Sequence, residues 1–261
     1  MPVAPNGSFY LEGGAGEPLV ILLHGLSGSG AVWGHFTAIL ERHWRGRWIA
    51  PDFAGHGRSP VRARYGIANY ASDISAFAEG ASQVFVVGHS MGGLCAMTLA
   101  SGWFGFMPRA VISIGAAFDW GNEAKIRIDK LVDSPPRYFD TEAEARERFL
   151  FVNGLKGYFD PASEVAASGI CSENGRWRLS ADNRAAMTAN ANARKVYAAA
   201  ECPVTLVRGQ NDPIVSAAEL RSLDPSFVTI EGCTHNPHVE RPDAIWRVFS
   251  RVAGMDGQAE V

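Results

Sequence analysis

Three things are scarce in this 261-residue sequence: cysteine in any useful arrangement, unbalanced charge, and long apolar runs. Cys95, Cys171, Cys202 and Cys233 stand far apart, without a Cys-x-x-Cys and without histidines at zinc-ligand spacing, so neither a disulfide scaffold nor a zinc module fits and reduced thiols are expected. Lys and Arg number 24 against 27 Asp and Glu, which leaves a formal charge of -3 and no basic field to attract phosphate backbones or anionic lipid. Nucleic acid and membrane are therefore not expected partners. No apolar stretch approaches the ~18 residues of a spanning helix. The start, Met1-Pro2-Val3-Ala4-Pro5-Asn6-Gly7, has neither the basic residues nor the apolar run of a secretory signal, so a cytoplasmic location is expected. Repeats and low-complexity segments are missing too, apart from a loose tail around Gly257-Gln258-Ala259 that reads as a frayed terminus. What remains is a chain with 47% hydrophobic residues, long enough to bury roughly 70–75% of its unfolded surface without staples.

Short runs rich in Val, Ile and Leu recur at Leu19–Leu23, Trp48–Ala50, Val84–Val87, Ala110–Ile114, Val204–Val207 and Phe227–Ile230, each ending at Gly, Asp or His or close to one. Such runs suit parallel strands covered on both faces. Between several of them lie segments with helical spacing, including Ala68–Glu79 and Leu94–Ser101, which is the alternation that crossover connections require. Ser216-Ala217-Ala218-Glu219 reads as a capping box. Ile245, Val248, Phe249 and Val252 recur at i, i+3, i+4 and i+7 behind Pro242, giving a last helix with one apolar face. The alternation breaks after Asp119. From 120 to 200 no strand-like run is evident. Thr141-Glu142-Ala143-Glu144 reads as a second capping box, Asp160-Pro161 as a helix start and Pro135-Pro136 as a break. The reading is an α/β core in two parts, 1–119 and 201–261, split by a mostly helical lid at 120–200.

The strongest chemical signal is Val84-Phe85-Val86-Val87-Gly88-His89-Ser90-Met91-Gly92-Gly93-Leu94: a strand, then Gly-x-Ser-x-Gly, then a small-residue helix. A serine on so sharp a strand-to-helix turn has strained backbone angles, and the residues two before and two after it must be small to avoid a clash. Ser90 is thereby the candidate nucleophile, and a serine hydroxyl needs a base and a group that orients the base. Asp212, in Arg208-Gly209-Gln210-Asn211-Asp212-Pro213, follows a strand-like run and is the candidate acid; its ordinary role would be a turn-forming aspartate. His235, in Glu231-Gly232-Cys233-Thr234-His235-Asn236-Pro237-His238, is the candidate base, with His238 its competitor. No third ligand at suitable spacing turns the two histidines into a metal site, and no metal is expected.

The order Ser90, Asp212, His235 resembles that of the α/β-hydrolase fold superfamily, in its esterase-like branch with a helical lid. The resemblance covers nearly the whole chain and rests on Leu22-Leu23-His24-Gly25-Leu26-Ser27-Gly28, Asp52-Phe53-Ala54-Gly55-His56-Gly57-Arg58-Ser59, the Gly88–Gly93 turn and the loops of the acid and the histidine. It implies a mostly parallel central sheet flanked by helices. It also implies an oxyanion hole at the Leu26 and Met91 amides, and structural or pocket-lining roles for His24, His56 and His89. Some relatives carry the acid after the preceding strand, which makes Asp119 an alternative to Asp212. The residue before the histidine, often glycine in the family, is Thr234 here.

Serine in place of aspartate at position 90 favours an acyl-enzyme over the alkyl-ester intermediates of epoxide or haloalkane chemistry, so a small-molecule ester or related acyl compound is the expected substrate. No cofactor is expected: Gly25 to Gly30 has P-loop spacing but continues Ala31-Val32 rather than Lys and Ser or Thr. Trp33, Trp120, Tyr138 and Trp177 are candidate pocket residues, while Arg127, Arg137 and Arg176 read as surface ion pairs. Rival readings on the same fold are a carbon-carbon bond hydrolase, a cofactor-free lyase or oxygenase, and a slow-turnover ligand receptor.

Overall fold

The computed structural model describes residues 2–255; the tail at 257–259 lies outside the described residues. The first half of the chain builds β1 (Tyr10–Gly14), β2 (Leu19–Leu23), α1 (Gly34–His43), β3 (Arg47–Pro51), α2 (Ile67–Ser75), β4 (Val84–His89), α3 (Met91–Leu99) and β5 (Ala110–Ile114). An intervening segment builds α4 (Asn122–Val132), β6 (Tyr138–Phe139), α5 (Glu142–Val152), α6 (Glu164–Ser168), β7 (Ile170–Glu173), β8 (Arg176–Leu179) and α7 (Ala193–Ala198), with a 3-10 stretch at Asn183–Asn190 before α7. The chain then returns to the core with β9 (Val204–Gly209), α8 (Ala217–Arg221), β10 (Val228–Ile230), α9 (Pro237–Glu240) and α10 (Pro242–Val252).

Seven strands form one sheet in the order β1-β3-β2-β4-β5-β9-β10, parallel throughout except for β1. All six expected strands are present. β1 was not expected, because Tyr10-Leu11-Glu12-Gly13-Gly14 offers no continuous apolar run; as an antiparallel edge strand it needs none. Every residue of β2 is fully buried, because both faces of this central strand are covered. Val20 and Leu22 join the cluster that contains Phe36 of α1 and Trp246 and Phe249 of α10, while Leu19, Ile21 and Leu23 join Tyr70 and Ile74 of α2 and Cys95 and Leu99 of α3. Each such aliphatic side chain contributes about 1.5–3 kcal/mol on burial. α10 starts with Pro242 in its first turn and buries Ile245, Val248 and Phe249, the face read from its spacing.

The segment between β5 and β9 carries, besides its helices, short strands where no strand-like run was expected. β6, β8 and β7 form a second, antiparallel sheet in that order. Its hairpin turns on Asn174 and Gly175, both at positive φ (53° and 76°), so Glu173 pairs with Arg176 across a two-residue turn of the type that Asn-Gly favours. The signal was present in the sequence, but the strands around it are too short and too charged to form apolar runs. Thr141 and Glu144 complete their reciprocal cap at the start of α5. Two other helix starts differ. Asp160 accepts from the Ala162 amide at 2.7 Å in a turn, and α6 begins later, capped by Ser163. Ser216 caps α8, but Glu219 reaches across to the Phe118 and Asp119 amides (3.0 and 2.8 Å) instead of back to its own helix.

Candidate active site

After β2 the chain crosses to β3 on one side, and β4 takes the place beside β2 on the other, so the strand order reverses between β2 and β4. Loops leaving the carboxyl ends of strands diverge at such a point and open a crevice. Ser90 follows β4, the Gly25-Leu26 turn follows β2, Asp212 follows β9 and His235 follows β10, and four peptide segments thus arrive at one end of the sheet.

Ser90 has φ 52° and ψ −114°, a conformation that costs an L-residue about 1–3 kcal/mol. The surroundings enforce it. The Ser90 N–H donates to the Ile114 carbonyl at 2.7 Å, and the Leu94 N–H donates to the Ser90 carbonyl at 3.0 Å. A Cβ on Gly88 would run into the Gly92 carbonyl, and one on Gly92 into the Leu23 carbonyl, so both positions require glycine, as the sequence argument holds.

The His235 Nδ1–H donates to Asp212 Oδ2 at 3.0 Å. Asp212 is held from its other oxygen, Oδ1, which accepts from the Ile214 and Val215 amides (2.8 and 3.2 Å), and its side chain is inaccessible. With Nδ1 committed to the carboxylate, Nε2 is the ring nitrogen left to accept a proton. The His235 loop is itself fastened by Glu240, whose carboxylate accepts from the Thr234 amide at 2.7 Å, the Asn236 amide at 3.1 Å and the Thr234 hydroxyl.

The competing residues lie elsewhere. Asp119 is exposed and paired with Arg194, so it is Asp212 that meets His235. His238 is fully buried against Trp33 and His89 (ring centres 4.5 and 4.4 Å), has no acid partner, and burial with His235 nearby lowers its pKa to about 3. His89 is likewise held neutral by burial and by its histidine neighbours, its pKa well below the ordinary value; its Nε2–H donates to the His235 carbonyl at 2.8 Å. His24 bridges two loops, donating from Nδ1 to Gly25 (2.7 Å) and accepting the Phe53 amide at Nε2 (3.0 Å); burial, then His56, keeps it uncharged.

Gly25 lies so close that a Cβ there would come within 3.4 Å of the Ser90 Cβ, which sets the following peptide beside the serine. Among the described residues neither the Leu26 nor the Met91 amide has a hydrogen-bond partner. Asp52 pins this loop: its carboxylate accepts from the Gly30 amide (2.6 Å) and the Arg58 amide (2.8 Å), and burial raises its pKa to about 6.

A cavity of about 450 Å³ contains Ser90 and His235 in its wall, together with Gly25, Leu26, Trp120, Phe151, Asn153 and Asn236 among others. Trp120 is the one pocket candidate among the four aromatics that lines it. Trp33 is fully buried in the core, because the 3-10 turn at Gly30–Trp33 directs it onto Phe36 and His238. Tyr138 and Trp177 belong to the small sheet, where Tyr138 bonds Glu173 and Trp177 pairs with Phe139 and Ser172 in register; neither lines this cavity. Arg127 and Arg176 do pair with exposed carboxylates, Glu123 and Asp140, while Arg137 lies over the Phe139 ring. Asn153 and Asn236 were missed: Asn236 Nδ2 donates to the Asn153 carbonyl (3.0 Å), and Asn153 Nδ2 to the Ser27 carbonyl (3.3 Å), joining three distant parts of the chain.

A parallel sheet with a strained serine after a central strand and a carboxylate-backed histidine at the same edge defines the class known as α/β hydrolases, and comparison with known proteins agrees. Residues 20–248 match the profile of the Alpha/beta hydrolase family, and the chain belongs to that family. It is 31% identical over 175 residues to Lipase LipV of Mycobacterium tuberculosis (strain ATCC 25618 / H37Rv), which is 64% of either chain, and 37% identical over 111 residues to the Magnesium-chelatase 30 kDa subunit of Rhodobacter capsulatus, 41% of this chain and 37% of that one. The chain therefore matches less than two thirds of the length of these relatives. The crystal structure of E-2-(acetamidomethylene)succinate hydrolase superposes with a TM-score of 0.79 over 95% of both chains at 24% identity, a likeness of fold. Among the described residues no helix is long and apolar enough to cross a membrane.

Proposed function

We propose that the protein is a serine hydrolase that cleaves a small or medium carboxylic ester, or a related acyl compound, through an acyl-enzyme. The observation that carries this reading is the 3.0 Å contact of His235 Nδ1 with the buried Asp212 Oδ2, His235 lining the same cavity as Ser90 on its strained turn. Ser90 Oγ attacks the carbonyl carbon while its proton passes to His235 Nε2. The Leu26 and Met91 amides, both without a partner among the described residues, stabilise the oxyanion; elsewhere the loss of one such donor costs about 100–1000-fold in rate. Collapse expels the leaving group, which takes the proton from His235, and a water activated by the same histidine then releases the acid. Asp212 keeps the imidazole in the required tautomer and offsets its charge. The segment at 120–200 acts as the lid, since Trp120, Phe151 and Asn153 from it face Ser90 across the cavity.

The test is hydrolysis of p-nitrophenyl esters from acetate to decanoate by wild type and Ser90→Ala side by side. Burst release by the wild type and its loss in the variant are expected. Activity that persists in Ser90→Ala would favour proton chemistry by His235 and Asp212 alone, as in a lyase or oxygenase.

A further inference from the structure

Ser90 stands between two cavities of unequal size and character. Besides the 450 Å³ cavity, a second of about 80 Å³ adjoins the serine, lined by Met91 and Leu94 of α3, Ala117, Ile128 of α4, and Thr188 and Ala189 of the 3-10 stretch. Leu26, Ser90 and Trp120 line both, so the Trp120 side chain stands at the boundary between them. The small cavity is apolar. Its one side-chain hydroxyl besides Ser90, that of Thr188, is spent on the Ala185 carbonyl at 2.8 Å. The large cavity is mixed, with Asn153, Asn236, Thr234 and His238 beside Phe151 and Leu155.

The position of the base assigns the two. A leaving group must receive its proton from His235, and His235 lines the large cavity but not the small one. The acyl chain has no need of a proton donor and is suited by apolar walls. An apolar cavity of about 150 Å³ takes up benzene, so one of about 80 Å³ holds roughly three carbon atoms. On the reading of the protein as a serine hydrolase, we infer that the small cavity is the acyl site, limited to acyl groups of about two to four carbons, that the large cavity receives a bulkier, partly polar leaving group, and that Trp120 and Ile128 set the acyl limit. Trp120 is the wall on the side of the leaving group, and Ile128 closes the small cavity from α4.

The test has two arms. In the first, kcat/KM is measured for p-nitrophenyl acetate, butyrate, hexanoate and octanoate. In the second, benzyl butyrate, with a small acyl and a large leaving group, is compared with methyl 4-phenylbutyrate, the reverse, the two alkoxide leaving groups being of closely similar basicity. The expected results are a fall of about tenfold or more from butyrate to octanoate and a preference of about tenfold or more for the benzyl ester, the range that pocket fit supplies. Trp120→Ala and Ile128→Ala should each raise the octanoate-to-butyrate ratio about tenfold. An optimum at octanoate, a preference for the methyl ester, or ratios unmoved by both substitutions would overturn the assignment while leaving the esterase reading intact. No hydrolysis of any ester by the wild type would overturn the esterase reading itself.

Discussion

Helices α3 and α4 both border the space around Ser90, yet all nine residues of α3 are buried and none of the eleven in α4 is. α3 carries Met91, Gly92 and Gly93 directly after Ser90 and lies wedged between α2 and the sheet, so its position follows from the packing of the whole core. α4 contributes Ile128 to a wall and otherwise faces outward, resting on the 3-10 stretch of its own segment. The difference assigns two kinds of work. Groups that must meet within tenths of an ångström sit on backbone that is expensive to displace, and groups that only shape a pocket sit where substitution is cheap.

Several changes would break or sharpen that division. The largest effect is expected on the core side: Asp212→Asn preserves shape but leaves His235 with the wrong proton, and kcat should fall about 10⁴-fold with little change in folding, measured by steady-state kinetics and thermal melting. Next, Leu99→Ala in α3, where the side chain is fully buried, should cost about 2–5 kcal/mol, whereas Leu131→Ala in α4, 37% exposed, should cost under about 1 kcal/mol in urea titrations. Comparable losses at the two sites would dissolve the contrast.

The buried histidines give the core a pH dependence. Burial lowers His56 to about 4 and His238 to about 3, and His24 and His89 also lie well below 6.5, so below that pH the unfolded chain takes up protons that the folded chain refuses. Asp52 acts the other way: raised to about 6 by burial, it binds a proton in the folded state before the unfolded chain does. The lowered histidines outnumber the one raised carboxylate, so stability is present above the unfolded histidine value near 6.5 and falls as the pH drops below it toward 4, by about 1.4 kcal/mol per pH unit for each proton in net excess on the unfolded chain. Denaturation midpoints that rise on acidification would contradict this. A smaller effect is expected at Glu240, whose substitution by Gln weakens the charge-assisted bonds to the Thr234 and Asn236 amides; kcat should drop about tenfold, with the melting temperature lowered by a few degrees.

The same division governs what could be read before the structure. Gly88, Gly92, Ser90 and the strands around them were legible because a buried strand and a strained turn leave few choices of residue. Asp212 was legible because ligand-facing residues collect where parallel strands end. β1 escaped because an edge strand need not be apolar, and the sheet of β6, β8 and β7 escaped although Asn174-Gly175 announced its turn. The pocket wall was the least legible part. Trp33 looked like a pocket residue by its nearness to Leu26 and went instead into the core, while Asn153 and Asn236 reach the cavity through a contact between α5's end and the histidine loop that no local pattern encodes. His238, the competitor of His235 in the same stretch of sequence, differs from it in the structure by its full burial and by the place of Asp212, which meets His235.

The most direct test of the central claim is to quench the reaction with p-nitrophenyl butyrate in acid within the burst phase and locate the adduct by peptide mass spectrometry. The account predicts one butyryl group, on Ser90, that accumulates further in a His235→Ala or Asp212→Asn background only as far as acylation still proceeds, and none in Ser90→Ala. Turnover with no adduct at Ser90, or an adduct on another residue that tracks turnover, would contradict it.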